Sequence, residues 1–155
     1  MKKLITLFIV FLIINFGGLA IGNWLMDTGP QTDWYINLNQ APWTPAGWVF
    51  GFAWTTIMIC FSIYLTVLFN TIKVSLFIVV LGIEFVLNVS WNYVFFNQHL
   101  VNLGLVIITL LTIVIFYYFF QFQFEKMKKY RLLLLPYIIW LCIATSLNLY
   151  ICLYN

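Results

Sequence analysis

The chain has 155 residues, of which 65% are hydrophobic, 21% aromatic and 7% charged, with a formal net charge of +3. A soluble domain is about one quarter charged, so this composition excludes a soluble fold and requires a membrane protein. Seven Lys and Arg against four Asp and Glu are too few and too scattered to form a nucleic-acid surface.

Crossing the ~30 Å hydrocarbon layer takes about 20 apolar residues in a helix. The sequence supplies that length five times, near 4–25, 47–69, 74–96, 101–124 and 131–153. One long connection and three short ones predict a single all-α domain, 1–155, of five transmembrane helices, with consecutive helices as antiparallel neighbours. Lys2, Lys3, Lys73, Lys126, Lys128, Lys129 and Arg131 fall on one side of this arrangement. Because Lys and Arg resist translocation, the N-terminus is predicted inside and the C-terminus outside.

The first span begins like a secretory signal peptide, with Lys2-Lys3 before an apolar run. That run continues to Trp24, beyond a usual signal segment, so the span is expected to be retained. Its Gly18 and Gly22 are spaced as a helix-packing face. The loop 26–46 follows, with Asp27, Gly29, Pro30, Asp33, Pro42 and Pro45, and its length and rigidity make it the candidate lid.

The stretch Ala41-Pro42-Trp43-Thr44-Pro45 leads into the second span. Pro45 sits at or just before the first helical turn, where proline is tolerated. Gly47 and Gly51 again have the spacing that admits a close second helix. Trp43 and Trp48 read as interfacial-belt residues, whereas Trp54 is too deep for the belt and must pack in lipid or in the bundle. Met58 lies on nearly the same face as Trp54.

Polar side chains within a span are costly unless they face another helix or a cavity. The third span carries Glu84, Asn88, Trp91, Asn92 and Phe95 at helical spacing. Asn92 reads as a polar contact between helices, and Asn88 with Trp91 as cavity lining. Glu84 could act in a proton relay or bind a cation, but the simpler reading is a neutral carboxyl hydrogen-bonded to a neighbouring helix. In the fifth span Pro136, Tyr137, Trp140, Ala144 and Asn148 trace a second stripe, in which Ala144 serves either a pocket wall or close packing.

Cys60, Cys142 and Cys152 lie in apolar runs without metal-ligand spacing and are expected to be small buried apolar residues. His99, in a short polar turn, is expected to be solvated. Neither an HExxH motif nor a nucleophile paired with a base is present, so conventional hydrolase, kinase and metalloenzyme chemistries lack support.

In their order along five spans, these residues resemble the translocator protein family, also called tryptophan-rich sensory proteins or peripheral benzodiazepine receptors. The resemblance is carried by Trp34-Tyr35 with Leu38, the Ala41–Pro45 stretch, Gly51, Trp54, Asn88 with Trp91, and Pro136-Tyr137, Trp140, Ala144-Thr145 and Leu147-Asn148. It implies a homodimeric five-helix bundle in the membrane lipid that binds porphyrins, protoporphyrin IX among them, or other hydrophobic drug-like small molecules under the first loop. Porphyrin would be ligand or substrate, with no separate cofactor.

Carried over by resemblance, the ligand-binding residues are Tyr35 and Pro45 on the lid side, Trp54, Asn88, Trp91, Trp140, Ala144 and Asn148, with Met58 counted beside Trp54. Some bacterial relatives are held to degrade protoporphyrin in light, which would make Trp54 and Trp140 catalytic. Tetrapyrrole sensing or disposal, light-dependent degradation and transport therefore stand as alternatives. Pro45-Ala46 replaces the Pro-Pro of many relatives, and no basic residue follows Tyr150, so a cholesterol role is unsupported. Residue usage and the missing sterol motif point to a bacterial plasma membrane, with a mitochondrial outer membrane as the alternative.

Overall fold

A computed structural model describes residues 2–155. Its five long helices are α1 (Lys2–Met26), α3 (Gly47–Phe69), α4 (Val74–Asn92), α5 (Val101–Gln121) and α6 (Leu135–Tyr154), with a short α2 (Asp33–Ile36) in the first loop. All five are long and apolar enough to cross a membrane. Large apolar side chains such as Ile13, Ile78, Val86 and Leu153 remain exposed on the outer faces, as a lipid-facing surface requires.

Helix limits depart from the apolar runs where backbone chemistry intervenes. The third span ends as a π-helical turn, Tyr93–Asn97, and the fifth starts as a 3-10 turn, Tyr130–Leu134, with Pro136 in the first turn of α6. Asp27 and His99 have positive φ, 54° and 56°, where they reverse the chain after α1 and after the π turn. Thr32 caps α2, its Oγ1 accepting from the Tyr35 amide at 3.3 Å.

Around the bundle the helices run α1, α4, α5, α6, α3 and back to α1. One expectation is therefore corrected: α3 and α4 are consecutive but barely touch, because α1 lies between them. The glycines explain this. A Cβ on Gly18 would lie 2.8 Å from the Phe85 ring, and one on Gly22 would lie 2.7 Å from Asn92 Nδ2, so the bare face of α1 admits α4. Asn92 packs against α1 there, but its side-chain hydrogen bond, to the Asn88 carbonyl at 3.4 Å, stays within α4, so the polar link between helices expected of it is not formed.

Gly47 and Gly51 behave differently, since a Cβ at either would meet nothing within 4 Å. The close approach expected of this pair does not occur within the chain. Gly22→Leu is accordingly expected to cost about 1–3 kcal/mol by overpacking, whereas Gly51→Leu should leave the unfolding midpoint in detergent nearly unchanged. Equal midpoints for the two variants would show that α1 and α4 do not depend on this contact.

The main core is built from Ile57, Phe61, Tyr64, Leu65 and Leu68 of α3 against Leu111, Ile115 and Tyr118 of α5 and Tyr137 and Leu141 of α6. Tyr64 donates its hydroxyl to the Tyr118 carbonyl at 3.1 Å. At the same end lie Lys2, Lys3, Lys73 and the exposed turn with Lys126, Lys128 and Lys129, where Lys128 pairs with Glu125 and Arg131 stands over the Phe119 ring. The cysteine expectation is also corrected: Cys142 is exposed and Cys60 and Cys152 are half-buried, because they sit at the edges of helical faces whose lipid side is apolar too.

Candidate functional site

At the end of the bundle opposite the lysines, the first loop folds down onto α4, α5 and α6. A second apolar cluster forms there from Phe95, Phe96 and Ile151, with Met26, Trp34, Tyr35, Leu38, Trp91 and Val101 around it. The π turn contributes directly, since its wider winding lets the consecutive Phe95 and Phe96 both be buried. Tyr35 packs on both rings, at centroid distances of 6.4 and 5.2 Å. Burial pushes its phenol above the usual tyrosine range, which keeps the hydroxyl protonated.

The lid is fastened at three further points. Trp43 Nε1 donates to Ser146 Oγ at 3.1 Å, and its ring meets Tyr150 edge to face. Asn39 and Asn155 exchange hydrogen bonds at 2.8 and 3.3 Å. Trp34 stacks on His99, with centroids 3.9 Å apart and planes within 10°. His99 is exposed, as expected of a solvated turn residue, yet its ring also holds the lid, which sequence position alone did not indicate. His99→Ala should leave the helices intact and raise amide exchange in 28–40 severalfold; unchanged exchange there would remove the latch.

Beneath the lid, α4 and α6 are joined by two polar links. Trp91 Nε1 donates to Asn148 Oδ1 at 3.1 Å, and Asn148 Nδ2 donates to the Val101 carbonyl at 3.2 Å. Two to three turns deeper, Tyr137 donates its hydroxyl to Glu84 Oε1 at 2.7 Å, and Asn88 Nδ2 donates to the same phenol oxygen at 2.6 Å. Glu84 is therefore a buried carboxyl held by a neighbouring helix, the simpler of its two readings.

The tryptophans line the same wall. Trp54, half-buried, meets Tyr137 edge to face at 6.0 Å, so it packs in the bundle. Trp140 is buried and closed off by Phe50, at 5.0 Å and 90°. Ala144 is buried between Trp140 and Asn148, while Pro45 is half-buried at the entry to α3. Trp43 and Trp48 are exposed, as belt residues would be.

The nine residues named from sequence thus fall into a lid part (Tyr35, Pro45), a wall (Trp54, Asn88, Trp91, Trp140, Ala144, Asn148) and Met58 below it. Met58 borders a cavity of about 10 Å³ shared with Asn15, Glu84 and Asn88, which has room for one water but not for an organic ligand. A groove of about 300 Å³ opens instead on the outer face of α1 and α4, lined by Leu25, Phe85, Val86, Val89, Ser90 and Tyr93 and by none of the nine. The wall is closed on itself by Phe50 and by the lid, so occupancy by a large flat ligand requires both to move.

Three contributors are absent from the sequence-derived set. Asn15 donates to Ser62 Oγ at 2.8 Å in the buried interior. It is an amide in an apolar span, so the rule that singled out Asn88 singles it out as well. Tyr137 appears in the stripe of the fifth span, but its bond to Glu84 requires the packing of α4 on α6. Phe50, one apolar residue among many, carries no signal in the sequence.

The model of the TspO/MBR family matches residues 7–154. The chain belongs to the TspO/MBR family. It is similar to the tryptophan-rich protein TspO of Chlorobaculum tepidum, 32% identical over 77% of each chain. The tryptophan-rich protein TspO of Archaeoglobus fulgidus is 32% identical over 99% of this chain and 97% of that one. The tryptophan-rich sensory protein of Cereibacter sphaeroides is 27% identical over 75% and 73% of the two chains. With its five apolar helices, this TspO/MBR member is an integral membrane protein.

Proposed function

We propose that this TspO/MBR protein is a bacterial plasma-membrane receptor for porphyrins and related hydrophobic molecules, working in tetrapyrrole sensing or disposal. The observation that carries the reading is the lid: an aromatic loop pinned by Trp34, Tyr35 and Trp43 over a wall containing Trp54, Trp91 and Trp140. Rigid flat rings bind a flat ligand with little loss of side-chain entropy. The amides Asn88 and Asn148 would orient polar edges of the ligand. By the positive-inside rule the lysine-rich end is cytoplasmic and the lid faces outside.

Light-driven porphyrin degradation is the second reading. It is favoured by the contact of Trp54 with Tyr137, whose hydroxyl already donates to Glu84. In that reading the light-excited porphyrin with dioxygen supplies the oxidant, and Trp54 and Trp140 border the reacting ring.

Titration of protoporphyrin IX into the protein in detergent tests both readings. Saturable tryptophan quenching is expected, with affinity about tenfold weaker in the Trp54→Phe, Trp140→Phe variant. Absence of saturable quenching removes the porphyrin reading. Porphyrin loss under illumination that exceeds the free-porphyrin rate and disappears in the variant would favour the enzyme.

A further inference from the structure

The cavity among α1, α3 and α4 lies near the middle of the spans, bordered by Asn15, Gly18, Leu19, Met58, Glu84 and Asn88. Its hydrogen bonds determine which atoms remain free. Ser62 donates its hydroxyl to the Met58 carbonyl at 2.6 Å, so toward Asn15 it can only accept, and Asn15 must present Nδ2. Tyr137 likewise gives its proton to Glu84 Oε1 and can only accept from Asn88 Nδ2. The second, longer bond of Asn88 Nδ2 also ends on Glu84 Oε1, at 3.4 Å. Three oxygens on cavity-lining residues are left without a protein donor among the described residues: Asn15 Oδ1, Glu84 Oε2 and Asn88 Oδ1.

Three acceptors around a water-sized space need protons from something else. We propose that this cavity is a binding site for one proton and one water molecule, with the proton on Glu84 Oε2 and the water bridging it to Asn15 Oδ1 and Asn88 Oδ1. The step balances simply: a proton from solvent adds to the carboxylate lone pair, Oε1 keeps the bond from Tyr137, and the new hydroxyl donates to the water. The volume matches one water, and three polar partners are what a buried water requires. No cation compensates the carboxylate, since the ion pair among the described residues is Lys128 with Glu125 at the bundle end. An uncompensated carboxylate in a low-dielectric interior takes up a proton.

The groups that face Glu84 are Tyr137 from α6, Asn88 on its own helix, Asn15 from α1 and Met58 from α3. From α5, the titratable Tyr118 approaches through Phe61, whose ring both it and Tyr137 meet edge to face. Tyr137 also touches Trp54, so the site adjoins the candidate ligand wall. This coupling, unlike the proton site itself, rests on the porphyrin reading. By linkage, a ligand that alters the proton affinity of Glu84 has its own affinity altered by the same factor.

Infrared spectroscopy of the full chain in lipid nanodiscs, across pH, reads the proton without any porphyrin. A protonated-carboxyl C=O band that is absent in Glu84→Gln is expected, since glutamine keeps the shape and can still accept from Tyr137. In Asn15→Leu, which removes a cavity oxygen, that band should shift. Identical spectra for the parent chain and Glu84→Gln would overturn the proton site, and a band unmoved by Asn15→Leu would overturn its place in the cavity. Protoporphyrin affinity should then vary with pH about fivefold or more in the parent chain and less in Glu84→Gln. Equal pH dependence in both would overturn the coupling, whereas absence of porphyrin binding would strike the porphyrin reading and leave the infrared result to decide the proton site.

Discussion

Asn148→Ala is expected to lower the stability of the folded bundle by about 1–3 kcal/mol, and to loosen the lid end before the lysine end. The side chain is buried and makes two links at once, accepting from Trp91 Nε1 and donating to the Val101 carbonyl. Truncation leaves the indole N–H without its partner inside an apolar medium, while the Val101 carbonyl, in the first turn of α5, keeps its intrahelical bond. A donor or acceptor stranded in this way costs its full desolvation, about 1–3 kcal/mol each, more than the net value of the bond that was made. The site offers little relief, because a Cβ on Gly104 would already lie 3.3 Å from Asn148 Oδ1 and 3.1 Å from the Phe95 ring. Thermal unfolding in detergent, followed by Trp91 fluorescence, measures the effect. A loss under about 1 kcal/mol would mean that the Trp91 indole finds another partner.

Tyr137→Phe is the second large effect, about 2–4 kcal/mol of destabilisation with almost no change of shape. The hydroxyl is central to the polar interior: it donates to Glu84 Oε1 at 2.7 Å and accepts from Asn88 Nδ2 at 2.6 Å. Without it, Glu84 retains from the protein only the longer bond from Asn88, and the best acceptor for that amide is gone. The ring itself still packs against Trp54 and Phe61, so the apolar contribution is unchanged and the loss isolates the hydrogen bonds. In a Glu84→Gln background the Tyr137→Phe loss should be similar, because a protonated carboxyl and an amide offer the same carbonyl oxygen to the hydroxyl. A Tyr137→Phe protein as stable as its parent would show that α4 and α6 are held by packing alone.

The lid illustrates how far sequence reasoning reaches. Its position, its prolines and its tryptophans are legible in the chain, and so is the aromatic density that calls for contact. The π turn that turns both Phe95 and Phe96 inward is not legible, since local hydropathy is the same for an α and a π winding. The Trp34–His99 stack is not legible either, because it joins residues on different loops whose approach depends on how α1 seats against α4.

From the sequence alone follow membrane insertion, five spans, the place of the long first loop and the family, because each depends on composition, run length or ordered motifs. Only the tertiary structure decides the ring order α1, α4, α5, α6, α3, since short connections permit several neighbour arrangements and the choice lies in which glycine face is filled. It also separates two glycine pairs of identical spacing, one packed inside the bundle and one turned outward. Finally, it gathers Asn15, Glu84 and Asn88 from two helices around one small cavity and brings Tyr137 of a third helix onto Glu84 and Asn88. Glu84 and Asn88 share a span, but Asn15 and Tyr137 lie in two others, and their joint chemistry exists only where the helices bring them within hydrogen-bond reach.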